Sequence, residues 1–328
     1  DPIASITVRK IFELAANGLK LYLNIPQKEV HPGQLVTVCI KAVNRHVIFL
    51  GKQQFQIGVA YLNTPGNEKE MLQCDGVTEK VQQTMAEFSP KHCGIAQIDI
   101  EKVFLQDYLG LIGTQKNFRG GCQLAVLPEP VLSTRIRTGM EKQQEYRYSA
   151  VADDDSDILD LRAFRPGDNL NHIHWNLSLR TDDLIVRQYG EQIDVKKVIL
   201  VDLSILNTAQ YRSRMDAVYT AVASIANLYV ENEVNTLILA WNGQKQSAEY
   251  LEVHDRTELN RAMIRLMQIP CSSRAGEHAA AVYLKDIEAQ GQQALFVTAG
   301  SYENNKVRIV NVEKIQLQEL IDELWEKI

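Results

Sequence analysis

The strongest chemical feature of this sequence is a carboxylate and a hydroxyl two residues apart, directly after an apolar run. Val198-Ile199-Leu200-Val201 leads into Asp202-Leu203-Ser204. If the run is a buried strand, both side chains leave its carboxyl end and would offer oxygen ligands to a hard cation such as Mg²⁺. The same two groups would equally cap the following helix and bond loop amides, and the residues alone leave both readings open. His172 and His174 are a second candidate, with His174 as general base or metal ligand. No carboxylate stands at a fixed spacing from them. The chain has no nucleophile elbow and no glycine-rich phosphate loop, so a His-dependent metallohydrolase finds the least support. The acidic run Asp153-Asp154-Asp155-Ser156-Asp157 invites a calcium loop, but Ile158 stands at the required glycine and Phe164 at the closing glutamate. The five cysteines, Cys39, Cys74, Cys93, Cys122 and Cys271, contain no CxxC pair. An odd count without that pair argues for reduced thiols in a cytosolic compartment, not for a disulfide framework or a zinc knuckle.

Two kinds of element must position these groups. Between about 17 and 132 the pattern alternates, as in Leu19 to Leu23 and Leu35 to Lys41, which marks strands with one face in a core. Phe55 to Leu62, Ile95 to Ile100 and Gln123 to Leu127 are further strands, and His31-Pro32-Gly33 is turn chemistry. The polar stretch Thr64 to Thr84 reads as a long loop or hairpin tip, and residues 1–16 as an amphipathic helix. From about 195 the apolar runs become continuous: Val198 to Val201, Leu237 to Ala240, Ala294 to Val297 and, with one interruption at Arg308, Val307 to Val310. Such runs belong to strands covered on both faces. Helical spacing falls between them, at Met215 to Tyr229, Leu259 to Met267, His278 to Ala289 and Leu317 to Trp325. Asp255 and Glu258 form a capping-box-like start to the second of these, and Pro270 ends it.

The expected fold is therefore α+β with two domains. Residues 1–132 form an antiparallel, Ig-like β-sandwich with its N-terminal helix, 133–194 a linker and a distinctive segment, and 195–328 a doubly wound α/β domain. In such a sheet a site lies beyond the carboxyl ends of the strands where the order reverses, which places Asp202 and Ser204 beside Thr298-Ala299-Gly300. With 35 Lys and Arg against 41 Asp and Glu, the net charge of −6 comes with no basic cluster, which argues against a nucleic-acid partner. No stretch reaches the apolar length needed to cross a bilayer.

The Asp202-x-Ser204 segment resembles the metal-ion-dependent adhesion site of von Willebrand factor A domains. That site is written Asp-x-Ser-x-Ser, with a distant Thr and an Asp after the fourth strand. Here the second serine is Leu206, the later Asp is Ala299, and Ser272 or Ser273 stands nearest to the Thr. The resemblance implies at most weak Mg²⁺ binding at Asp202 and Ser204, a metal-dependent adhesion module being the alternative reading, and no other cofactor.

The most distinctive stretch is Leu161-Arg162-Ala163-Phe164-Arg165-Pro166-Gly167-Asp168, running through Ile173-His174-Trp175 and Ser178-Leu179-Arg180 to Leu184-Ile185-Val186-Arg187 and Glu191. It resembles the signature of the bacterial domain of unknown function 58 family, roughly Arg-x-Tyr-x-Pro-Gly-Asp, then Ile-His-Trp-x-x-Ser-Ala-Arg, Leu-x-Val-Arg and Glu. Phe164, Asn171 and Leu179 depart from that pattern. Weaker similarity upstream covers His92-Cys93-Gly94, Asp107 to Leu111 and Val126-Leu127-Pro128. Physically, Pro166-Gly167 reads as a tight turn and Asp168 as the cap of a helix over about 169–179, the rival being an alternating strand. Arg162, Arg165, Arg180 and Arg187 would pair with Asp168 or Glu191 and stack on Trp175 as a clamp between domains, or form a partner-docking surface. The resemblance implies a non-enzymatic assembly module. Its expected role is a partner or adaptor of a MoxR-type AAA+ ATPase, tethered at the cytoplasmic face of a membrane by a segment absent from this chain.

Overall fold

The computed structural model describes residues 17–44, 51–62, 69–77, 81–107, 109–118, 120–133, 158–163, 178, 185–189, 196–204, 210–287, 294–302 and 307–327. The fold is mixed α/β and mostly strand. Residues 1–133 and 196–328 belong to one compact unit, and 134–195 form another.

Nine strands make up the first part of the larger unit: β1 (Leu19–Asn24), β2 (Glu29–Val30), β3 (Val36–Asn44), β4 (Lys52–Tyr61), β5 (Glu70–Val77), β6 (Val81–Phe88), β7 (Gly94–Gln106), β8 (Gly113–Asn117) and β9 (Gly121–Val126). One sheet has the order β1-β3-β6. The other runs β2-β9-β7-β4-β5, with β8 also on β7. Their facing side chains share one core. Val36, Val38 and Ile40 of β3 meet Phe55 and Ile57 of β4, Ile98 and Ile100 of β7, and Leu124 of β9. The alternation in β3 is carried out as buried and half-buried residues in turn. Residues 31–34 close a turn through Gln34 N–H to His31 O at 3.1 Å, with Gly33 at φ 83°, a left-handed conformation that glycine adopts without a Cβ penalty.

The loop expected at Thr64 to Thr84 is corrected. Residues 70–77 and 81–88 are β5 and β6. Leu72 and Cys74 pack on the core, while Met71, Gln73 and Asp75 between them are exposed. One face of these strands is polar enough to resemble a loop, yet the other supplies inward side chains at period two. The expected helix over residues 1–16 lies outside the described residues.

In the second unit, β10 (Ile158–Ala163) and β11 (Ile185–Tyr189) pair antiparallel. Arg162 stands opposite Val186 and Leu161 opposite Arg187 in backbone register. Of the expected helix over 169–179, Ser178 alone is described, and it is helical and buried.

The rest of the larger unit contains β12 (Lys197–Val201), α1 (Tyr211–Glu231), β13 (Thr236–Asn242), β14 (Ser247–Val253), α2 (Arg256–Gln268), α3 (Ala275–Asp286), β15 (Ala294–Thr298), β16 (Arg308–Asn311) and α4 (Leu317–Trp325). The sheet order is β14-β13-β12-β15-β16, with only β14 antiparallel to its neighbour. Strand β14 has no counterpart in the sequence expectations. Ser247 to Val253 carries Glu249 and Glu252 at exposed or half-buried positions and reads as polar. Val198, Leu200, Leu237, Leu239 and Phe296 face α3 through Ala279 and Tyr283. The alternate residues Ile199, Val201, Ile238 and Val297 are fully buried on the other face, where α1 packs on β12, β13 and β15. Each strand is apolar on both sides because each side has a helix to cover it.

Helix α2 starts as the sequence implies. Glu258 N–H donates to Asp255 Oδ1 at 2.7 Å, and Glu258 returns Oε2 to the His254 N–H at 3.0 Å. Such a cap contributes about 1 kcal/mol. Pro270 follows directly after the helix's C-cap, Ile269.

Candidate functional site

The chain passes from β12 to β13 on one side of the sheet and later enters β15 on the other, so the order reverses between β12 and β15. A crevice at such a reversal is where open α/β sheets hold ligands. Asp202 ends β12 there, and its backbone N–H donates to Val297 O at 3.0 Å. Each of its carboxylate oxygens accepts a hydrogen bond from within the chain. Oδ1 accepts the Ser204 N–H at 3.0 Å, and Oδ2 accepts the Thr298 hydroxyl at 2.6 Å. Thr298 Oγ1 in turn accepts the Gly300 N–H at 2.9 Å.

Ser204 Oγ accepts the Gly276 N–H at 3.2 Å. The expected cap on the following helix is thereby corrected. Ser204 serves the first turn of α3, seventy-two residues on, whereas α1 begins at Gln210 with no side-chain cap. The reason is strand order: β12 ends beside the α3 N-terminus. Gly276 permits this approach, since a Cβ there would lie 2.4 Å from Asp202 Oδ1 and 2.9 Å from Phe296 Cζ. Ser272 bridges to Ser204 and donates its N–H to Leu203 O at 3.3 Å. Its buried Oγ has no hydrogen-bond partner among the described residues. Tyr211 and Cys271 lie beside the cluster. Burial raises both above their ordinary ranges; the neighbouring Cys271 and then the Asp202 charge add to the shift of Tyr211, while a hydrogen bond from Tyr211 opposes that of Cys271. A thiol so raised stays protonated at neutral pH and is a poor nucleophile. Thus, among the described residues, one carboxylate and three hydroxyls gather at the strand ends, with Ala299 following Thr298.

A second polar cluster was not legible in the sequence. Asp216 of α1 takes His92 Nδ1 on Oδ2 at 2.6 Å and the Cys93 N–H on Oδ1 at 2.8 Å. Arg212 lies over the Tyr61 ring at 5.6 Å, and Tyr61 meets His92 edge-on. Burial raises the Asp216 carboxyl, although its bonds to His92 and Cys93 and the nearby Arg212 charge oppose the shift. Burial likewise pushes Tyr61 and Cys93 up to about 12. A cavity of about 30 Å³ remains among these side chains, which is room for little more than a water. The signal that could have revealed the cluster is Arg212 and Asp216 at i and i+4, alongside the buried Met215 and Tyr219.

Residues 127–133 form a strap that continues this junction. Val131 N–H donates to Ser224 Oγ of α1 at 2.9 Å. Ser133 Oγ donates to Asp322 of α4 at 2.6 Å, and Gln318 Nε2 to Leu132 O at 2.9 Å.

Of the distinctive segment, Arg162 lies on β10 and Arg187 on β11. Arg165, Gly167, Asp168, His172, His174, Trp175, Arg180 and Glu191 lie outside the described residues, as do Leu206 and the acidic run 153–157. All five cysteines are free thiols. Among the described residues no three His, Cys, Asp or Glu side chains converge as a metal site, and no helix is long and apolar enough to cross a membrane.

Among solved structures, similarities are partial. A cohesin module of a Clostridium perfringens family 33 glycoside hydrolase is 8% identical, with TM-score 0.25, over 33% of this chain and 96% of that one. The CARDB domain of a Pyrococcus furiosus protein, in complex with di-metal ions, is 10% identical, with TM-score 0.23, over 33% and 87%. The alkylpurine DNA glycosylase AlkC of Pseudomonas fluorescens, bound to DNA with an abasic-site analogue, is 9% identical, with TM-score 0.24. That match covers 33% of this chain and only 30% of the glycosylase. No curated protein matches. Residues 160–306, from the Arg162 strand through the Asp202 cluster to just before β16, match the family described as "Protein of unknown function DUF58".

Proposed function

We propose that this chain is a non-enzymatic protein–protein interaction or assembly module. The observation that carries the reading is the closure of the Asp202 carboxylate. Both of its oxygens are spent on the Ser204 amide and the Thr298 hydroxyl. Mg²⁺ demands a near-octahedral oxygen shell and sheds its waters reluctantly. One engaged carboxylate with hydroxyls, and Ala299 in place of a second acid, does not fit a tightly held ion, so surfaces carry the function. In this reading the β-rich half is an Ig-like sandwich, and the α/β half is a von Willebrand factor A-like domain whose adhesion site has degenerated.

The family resemblance supplies the partner. The chain acts beside a MoxR-type AAA+ ATPase as partner or adaptor, held at the cytoplasmic face of a membrane by a segment outside this chain. The distinctive segment, with Arg162, Arg165, Asp168, His174, Trp175, Arg180, Arg187 and Glu191, supplies either the docking surface or the clamp that stiffens it. The test is affinity purification of a membrane-tethered, full-length form from its native cells. Stoichiometric co-purification of an AAA+ ATPase, reduced when Arg162 and Arg187 are replaced by Ala, is the expected result. Recovery of the tethered protein without any ATPase would contradict the reading.

A further inference from the structure

A cavity of about 260 Å³ opens where the β2–β9 end of the β-rich half meets α1 and α2. Its apolar floor combines Val30 and Leu127 with Ala223, Leu259 and Met263, all buried. Its rim is polar, and junctions between folded parts are where small-ligand sites preferentially lie. Three polar features give this one a direction. Asn227 lines it and is 3% exposed. Its amide nitrogen donates to Glu231 at 2.9 Å, and its side-chain carbonyl has no hydrogen bond among the described residues. Because Asn227 lines the cavity, this carbonyl is placed to accept an N–H from a ligand. Arg256, at the first position of α2, stands exposed on the rim with no ion pair among the described residues. Glu29 stands on the rim from the β2 side, likewise without a cation among them. Guanidinium forks match carboxylates in two-point geometry.

We infer that this cavity binds an apolar α-amino carboxylate, its side chain on the floor and its carboxylate on Arg256, presented either as a free amino acid or as the carboxyl end of a peptide. Glu29 meets the ammonium of a free amino acid, and Asn227 accepts a ligand N–H. The inference is independent of the assembly reading, since it rests on a different part of the molecule. The test is isothermal titration of the full chain with four probes: leucine, N-acetyl-leucine, leucinamide and a pentapeptide ending in leucine. Saturable binding of the carboxylates is expected, with leucinamide at least about 10-fold weaker, as loss of a charge-assisted hydrogen bond implies. Arg256→Gln, at an exposed position that leaves the fold intact, weakens carboxylate binding by a similar factor, and Met263→Trp fills the floor and abolishes it. Glu29→Gln weakens leucine alone if the free amino acid is the ligand. If it has no such effect and the pentapeptide binds at least as tightly, the peptide end is the ligand. No saturable binding of any carboxylate, equal binding of leucinamide, or unchanged affinity in Arg256→Gln would overturn the inference.

Discussion

Two carboxylates in this molecule have the same job description and opposite reach. Asp202 and Asp216 each accept two hydrogen bonds, one from a backbone N–H and one from a side chain. The partners of Asp202 come from its own sheet and close the end of that sheet. The partners of Asp216, His92 and Cys93, come from the β-rich half and tie it to α1. The first is a local closure of the strand ends. The second is a long-range tie. A buried carboxylate therefore says little about chemistry until the origin of its partners is known.

That contrast can be broken or sharpened by substitution. The largest effect is expected at Asp216. Asp216→Ala strands the Cys93 amide and the His92 ring at a partly buried junction and should cost roughly 2–4 kcal/mol, read from urea unfolding. Because this loss falls on the tie between halves, it should also uncouple the unfolding of Trp241, in β13, from far-UV signals dominated by both halves. Asp202→Ala should cost about 2 kcal/mol, since the Thr298 hydroxyl and the Ser204 amide lose their acceptor, while the transition stays single. Gly276→Ala pushes a methyl group against Asp202 and Phe296 and should cost about 1–3 kcal/mol, with no effect on the Asp216 junction. Asp255→Ala, a cap outside both clusters, should cost about 1 kcal/mol.

Stability against pH separates the two sites further. Burial holds the Asp216 carboxyl above its ordinary range. Its contribution is therefore present in full below the ordinary carboxylate range and is lost as pH rises through the folded value. The penalty of Asp216→Asn should accordingly be larger near pH 4 than near pH 7. A penalty that grows with pH instead would show that the His92 contact outweighs burial.

What the sequence made legible follows the same division. The Asp202 edge was readable because its signals are local. A continuous apolar run means a strand covered on both faces, and Asp-x-Ser at its end means polar groups at the strand terminus. The helices from Met215, Leu259, His278 and Leu317 were readable through their apolar spacing, and α2 through the Asp255–Glu258 pair. Asp216 was not readable, because its partners lie 124 and 123 residues earlier and no short-range pattern links Met215-Asp216 to His92-Cys93. The capping reading points Ser204 to the nearest helix in sequence, whereas strand order brings it to α3. Strands β5, β6 and β14 were hidden by polar outward faces such as Gln73, Asp75 and Glu252, which resemble loops when only one side of a strand is apolar.

The central claim is that the strand-end cluster uses Asp202, its one carboxylate among the described residues, internally and so leaves function to surfaces. Titration of Mg²⁺ into the native chain and into Asp202→Ala tests it most directly. The account predicts no saturable heat in either protein at millimolar ion. Saturable micromolar binding by the native chain, abolished in Asp202→Ala, would contradict it.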